Sequence, residues 1–193
     1  ASFKVEDFLE MFPEISTLAN ITANHISNMM SEDMRFTHYK KIAQAIKKEI
    51  KQGVDGIIIG HGTDTLAVTA AALSFMFENL PIPVILVGSQ RSTDRGSSDA
   101  GMNLICATEF ITKTEFTGVA ICLHESSEDC SCVILPATKT RKLHTSRRDA
   151  FKAVNDSPIA RIDYRSRKIS LLKKISKTQG KLILKDSFED NVA

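Results

Sequence analysis

The stretch Ile57-Ile58-Ile59-Gly60-His61-Gly62-Thr63-Asp64-Thr65 decides how this chain is read. A short apolar run bounded by Gly53 and Gly60 has the pattern of a strand buried on both faces. A turn of small and polar residues follows, and from Leu66 to Glu78 the sequence is apolar nearly all round, as in a buried helix. Such a junction offers free backbone N–H groups and the positive end of a helix dipole. In an open α/β sheet the ligand binds at this place, outside the carboxyl ends of the strands. Thr63 and Asp64 set a hydroxyl and a carboxylate side by side there, able to position and attack a small polar substrate. Either residue type also caps helices, so capping stands beside catalysis as a reading of both.

Outward from this stretch, strands and helices alternate. Ile15 to Thr22 reads as a first strand, with Ile15, Leu18 and Ile21 buried. Thr37 is the expected cap of a helix from His38 to Gln52. Tyr39, Ile42, Ala43, Ile46 and Ile50 form its apolar stripe, five lysines form its solvated face, and Gly53 suits the position after its end. Pro81 and Pro83 separate the Leu66 helix from another buried strand, Val84 to Val87. Gly88 to Ser97 is a polar loop, and Ser98 is placed to cap a helix from Asp99 to Thr112. Val119 to Leu123 and Val133 to Leu135 read as strands near an edge, and Ile159 to Tyr164 with Lys168 to Leu172 as a closing hairpin. The alternation predicts an α/β fold: a doubly wound, mostly parallel sheet with helices on both faces.

The loops of that sheet converge on one edge and gather Ser31-Glu32-Asp33, Gly60 to Thr65, Gly88 to Ser97 and Thr138 to His144. None carries a GxGxxG or GxxxxGK[ST] pattern, so nucleotide binding has no local support. The composition agrees with an ordinary enzyme-sized domain. The chain has 193 residues, 42% of them apolar, a net charge of +2 and a mean hydropathy near zero. No apolar run reaches the length of a membrane span, and the opening Ala1-Ser2-Phe3-Lys4 is unlike a secretory signal. Cys106, Cys122, Cys130 and Cys132 read as reduced thiols of a cytoplasmic protein. Cys130-x-Cys132 has the wrong spacing for a zinc knuckle, and no metal site is expected.

His61-Gly62-Thr63-Asp64-Thr65 after a buried strand resembles the second threonine motif of the bacterial-type L-asparaginase family. Three further places extend the resemblance over roughly Ile15 to Leu172. Ser31-Glu32-Asp33-Met34 is similar to the family's substrate-binding serine segment. Val87-Gly88-Ser89-Gln90-Arg91, followed by Ser98-Asp99-Ala100-Gly101-Met102-Asn103-Leu104, resembles its next loop and helix. Lys142, by its spacing to Phe151, falls where the family places its catalytic lysine, with Lys139 as the competitor. Within the family, Gln90-Arg91-Ser92-Thr93-Asp94-Arg95 and His144-Thr145-Ser146-Arg147-Arg148-Asp149 look most like the branch formed by the D subunits of archaeal glutamyl-tRNA(Gln) amidotransferases.

The resemblance implies Thr63, Asp64 and Lys142 as catalytic residues and Ser31, Glu32, Gly62, Ser89 and Gln90 as substrate-binding ones. It implies glutamine as substrate, no cofactor in this chain, and a partner, the amidotransferase E subunit, that uses ATP and Mg to activate glutamate on tRNA and receives the ammonia. Contact with tRNA is then indirect, and a homodimer is expected. Family members also open with a strand that supplies a first catalytic threonine and close with a second, smaller domain. The resemblance therefore implies a large domain over residues 1–176 without that first strand, a linker over 177–193, and no turnover by this piece alone. Which threonine forms the covalent intermediate stays open.

Amide hydrolysis needs a nucleophile, a proton acceptor, an oxyanion site and a grip on the substrate's α-amino and α-carboxylate groups. A threonine hydroxyl is a weak nucleophile without a base beside it. Asp64 is a candidate both to orient Lys142 and to hold the substrate ammonium. Ser31, Gly62 and Thr63 suit the carboxylate, although Ser31 also suits a cap and Glu32 a solvated first turn. His61 is expected to pack away from the pocket. The basic run Lys139, Arg141, Lys142, Arg147 and Arg148 reads as partner-facing or structural before RNA-binding. Three functions are in play: an amidotransferase glutaminase, a stand-alone L-asparaginase, and a non-catalytic amino-acid-binding domain.

Overall fold

The computed structural model describes residues 11–91 and 95–187. Part of the Gln90–Arg95 motif and the tail from Phe188 lie outside them. Among the described residues three α-helices, α1 (Phe36–Lys51), α2 (Leu66–Met76) and α3 (Ala100–Lys113), pack around one six-stranded sheet. Its strands run in the order β1 (Ile57–Gly60), β3 (Pro83–Val87), β4 (Gly118–His124), β5 (Ser131–Pro136), β8 (Ala160–Asp163) and β9 (Ile169–Leu171). Two small ribbons flank it: β2 (Phe77–Glu78) with β10 (Ile183–Leu184), and β6 (Thr140–Lys142) with β7 (Phe151–Ala153).

The α/β architecture with both faces covered is present. β1, β3 and β4 pair in parallel, and from β4 onward every pairing is antiparallel, so the sheet is mixed. The change of direction follows from the connections: β3 and β4 are joined through a helix, whereas β4 and β5 are joined by a short turn that only an antiparallel pair allows. Side chains alternate strictly across the central strands. Val84, Leu86, Val119, Ile121 and Leu123 pack under α1, α2 and Phe151, while Ile85, Val87, Ala120 and Cys122 pack against α3 and Ile15. All five residues of β3 are buried, as a strand covered on both faces requires.

The crossovers β1–α2–β3 and β3–α3–β4 step the same way across the sheet, yet α2 and α3 lie on opposite faces. The two are therefore of opposite hand, and one is left-handed, against a right-handed rule that holds in about 98% of cases.

Four expectations change. Ile15 to Thr22 is not a strand: Pro13 starts a 3-10 turn, Pro13–Thr17, whose Ile15 is fully buried while Leu18 and Ile21 pack in part against the same core. Among the described residues β1 pairs only with β3 and so stands at an edge, with Ile59 buried and Ile57 and Ile58 half-buried. β4 is central rather than near an edge. The start of α1 is capped through Arg35, whose N–H donates to His38 Nδ1 at 2.9 Å, and not by Thr37. Gly53 ends that helix at φ +86°, a conformation that favours glycine. The closing hairpin is β8–β9, its turn held by Asp163 Oδ1, which accepts Ser166 N–H and Oγ–H at 2.8 and 2.7 Å. Between residues 182 and 185 the chain lies against the domain, where Leu182 and Leu184 pack on the core and Lys185 N–H donates to Met76 O.

Candidate active site

Parallel pairing of β1 with β3 continues past the strand end, where His61 N–H donates to Val87 O at 2.9 Å. This aligns the loop 61–65 with the loop that begins at Gly88. Neither glycine tolerates a side chain. A Cβ on Gly62 would lie 2.7 Å from Ser31 Cβ, and one on Gly88 would meet Leu66, His61 O and Thr63 at 2.9 to 3.0 Å. Thr65, the residue before α2, donates its hydroxyl to Ser31 O at 2.7 Å and so ties the short turn Ser31–Asp33 to the start of the helix. Ser31 ends up buried beside Gly62.

Lys142 enters from the β6–β7 ribbon, as the last residue of β6. Its Nζ donates to Thr63 Oγ1 at 2.8 Å and to Asp64 Oδ1 at 2.9 Å. The lysine side chain is only 14% exposed whereas that of Asp64 is 62% exposed, so the ammonium is covered and the carboxylate reaches solvent. Neither Thr63 nor Asp64 caps α2: Thr65 holds that position and no side chain accepts from the first turn. Lys139 is exposed in the turn before β6, its N–H on Pro136 O, so Lys142 is the lysine that meets Thr63. The backbone N–H groups of Gly62 and Thr63 have no protein partner among the described residues. Two unpaired donors at the start of a helix suit an anionic oxygen.

His61 faces away from Lys142. Its Nδ1–H donates to Gly62 O at 2.7 Å and its Nε2 accepts from Thr69 at 2.9 Å, an arrangement that fits the neutral ring. Burial pushes its pKa below the ordinary histidine value, and the Gly62 carbonyl only partly offsets this. Glu32 is exposed, its carboxylate 3.5 Å from Ser31 Oγ.

Ser89 and Gln90 are occupied by the protein itself. Ser89 Oγ donates to Asp99 Oδ1 at 3.0 Å, and Gln90 Nε2 donates to Arg147 O at 2.8 Å. Asp99, 1% exposed, also accepts the N–H groups of Gln90 and Arg91 at 3.1 and 2.9 Å and thereby fixes the turn after β3. Sequence reading gave Asp99 only a place at the start of α3. An acid at the start of a helix, directly after a polar loop, was the signal available. Arg147 is paired with Asp149 through two bonds of 2.9 Å and Arg148 with Asp129, so these arginines build the hairpin tip. The Asp149 carboxyl is held below the usual carboxylate range by Arg147.

The arrangement as a whole is a hydroxyl beside a covered amine and an open carboxylate, with free N–H donors at a helix start. That equipment suits attack on an amide of an amino acid. The family model described as asparaginase, N-terminal, matches residues 1–177. The chain belongs to the asparaginase family. It is 46% identical over 195 residues to the D subunit of glutamyl-tRNA(Gln) amidotransferase from Thermococcus kodakarensis and 44% identical over 194 residues to that of Pyrococcus furiosus. Both matches take in 100% of this chain but 44% of the relative, so the chain spans less than half the length of these curated relatives. Among solved structures, L-asparaginase I of Vibrio cholerae superposes with a TM-score of 0.81 at 29% identity, covering 96% of this chain and 55% of that one. The thermostable L-asparaginase of Thermococcus kodakarensis superposes with a TM-score of 0.80 at 28% identity, covering 96% and 54%. No helix among the described residues of this asparaginase-family chain is long and apolar enough to cross a membrane.

Proposed function

We propose that this asparaginase-family chain is the amide-hydrolysing part of a tRNA-dependent amidotransferase of the archaeal type, releasing ammonia from glutamine in the cytoplasm. The similarity that carries this reading is the match, over the whole of this chain, to relatives named as D subunits of glutamyl-tRNA(Gln) amidotransferase. The ammonia goes to a partner, the E subunit, which uses ATP and Mg to activate glutamate on tRNA; this chain meets tRNA only through that partner, and the enzyme works as a homodimer.

The chemistry starts from the Lys142–Thr63 contact. Asp64 accepts the ammonium of glutamine, while Ser31 and the N–H groups of Gly62 and Thr63 take its carboxylate. An incoming ammonium competes with Lys142 for Asp64 and so favours the neutral lysine. Neutral Lys142 then takes the Thr63 proton, and Thr63 Oγ adds to the side-chain amide carbon. Collapse of the adduct expels ammonia, which leaves with the transferred proton, and water releases glutamate from the acyl-threonine. Where a second threonine carries the acyl group, Lys142 and Thr63 serve instead to activate the attacking water.

Ammonia release from glutamine and asparagine by the natural full-length protein tests this, with and without the partner subunit and glutamate-charged tRNA. Glutamine use that rises with both supports the amidotransferase reading. Fast asparagine turnover that ignores both overturns it in favour of a free L-asparaginase, the reading to which the solved neighbours point.

A further inference from the structure

The ribbon that carries Lys142 has three residues in each strand, too few to hold itself in one place. Its tip is fastened at two points. Gln90 Nε2 donates to Arg147 O at 2.8 Å. Arg148, 11% exposed, donates from Nη1 to Asp129 Oδ1 at 2.5 Å and from Nη2 to Ser97 O at 2.6 Å. These two fastenings belong to one closed ring. Asp129 Oδ1 lies 3.2 Å from Nε2 of the fully buried His124, whose Nδ1–H donates to Asn103 Oδ1 at 2.7 Å. The orientation of Asn103 is set, because its Nδ2 donates to Gly88 O at 3.0 Å and to Asp99 Oδ2 at 3.3 Å. Asp99 accepts Gln90 N–H, and Gln90 returns to Arg147, one peptide from Arg148.

We propose that Arg148 is a positioning residue for Lys142: it latches the tip of the β6–β7 hairpin to the loops after β3 and β4. The loop at Gly88 and the lysine then move as one body. The inference rests on the reading of Lys142 as the reacting lysine. Arg147 supplies the internal comparison, since its side chain is 60% exposed and pairs with Asp149 in its own loop. A latch acts on geometry rather than on affinity, and small displacements of a reacting group are costly to rate.

The test uses the natural full-length protein. Arg148→Ala is expected to lower kcat for amide hydrolysis about tenfold or more while KM stays within about twofold. Amide hydrogen exchange should quicken over residues 143–150 and 89–91, and added guanidinium should restore part of the lost kcat. Arg147→Ala should leave kcat and exchange over residues 89–91 near the parent's, since its pair with Asp149 lies within its own loop. Unchanged kcat in Arg148→Ala, or unchanged exchange over 143–150, overturns the latch. Should Arg148→Ala fail to fold, Asp129→Asn decides in the same way: lower kcat with faster exchange supports the proposal, and parental values overturn it. Full amide turnover by Lys142→Ala would remove the underlying reading of the lysine, and the exchange result on 143–150 would still judge the latch.

Discussion

Lys142 Nζ donates to Thr63 Oγ1 at 2.8 Å across 79 positions of sequence. A hydroxyl oxygen that accepts from Lys142 keeps its own proton directed elsewhere, so proton transfer needs the Nζ lone pair turned toward Thr63. The proposed proton transfer requires a neutral amine, a form that arginine does not reach. Lys142→Arg is therefore expected to keep a cation beside Asp64 and yet lose amide hydrolysis by about 10² to 10⁴, the range a positioned base contributes. Ammonia release at saturating glutamine checks this. An arginine variant with parental kcat would remove the proton-transfer role.

Asp64 separates binding from chemistry. It is the exposed member of the site, and its proposed work is to hold the substrate ammonium. Asp64→Asn keeps its shape and removes its charge, which should lower kcat/KM for glutamine about tenfold to a hundredfold, the scale of one charge-assisted hydrogen bond. Glutaramic acid, the same amide without the α-amino group, should be hydrolysed equally poorly by parent and variant. Loss of equal size on both substrates would mean that Asp64 serves Lys142 alone.

The parts that sequence made legible are those that local pattern controls. Ile57 to Thr65 gave strand, turn and helix in the right order, because apolar runs bounded by glycine leave few alternatives. Ile15, Leu18 and Ile21 were legible as core but not as a 3-10 turn, since burial spaced three apart is shared by several backbone shapes and Pro13 is the only local break. Family resemblance and the spacing to Phe151 favoured Lys142, with Lys139 as the competitor; the three-residue strand that carries Lys142 to Thr63 has no periodic signature. The roles of Asp99 and His124 were missed, and Arg148 was read only as partner-facing or structural, for a related reason. Each works through partners on other loops, and nothing in the order of residues records which loops meet.

Gly62 is the tightest joint of the site. A methyl group there would stand 2.7 Å from Ser31 Cβ and 2.8 Å from Ser31 Oγ, and Ser31 is held by the Thr65 bond to its carbonyl. The turn Ser31–Asp33 must therefore move outward. Gly62→Ala is expected to cost about 1–3 kcal/mol of stability, as overpacking does, and to raise KM for glutamine more than it lowers kcat. Urea unfolding and steady-state kinetics on the same sample check both statements. Gly60 is the control, since a Cβ there meets nothing within 4 Å.

His61 gives the fold a pH dependence of definite sign. Burial lowers its folded pKa below the value near 6.5 that the unfolded chain keeps. Below about pH 6.5 the unfolded chain binds a proton that the fold resists, so stability falls as pH drops from there through the folded pKa and is level above it. Protonation also removes the Nε2 lone pair that accepts from the fully buried Thr69. His61→Asn replaces the Nδ1–H donor to Gly62 O with an amide N–H and takes away the titration. The parent should lose more stability than this variant between pH 7.5 and 5.5, measured as the shift in urea midpoint. A variant that loses as much as the parent would mean that His61 does not titrate against the fold.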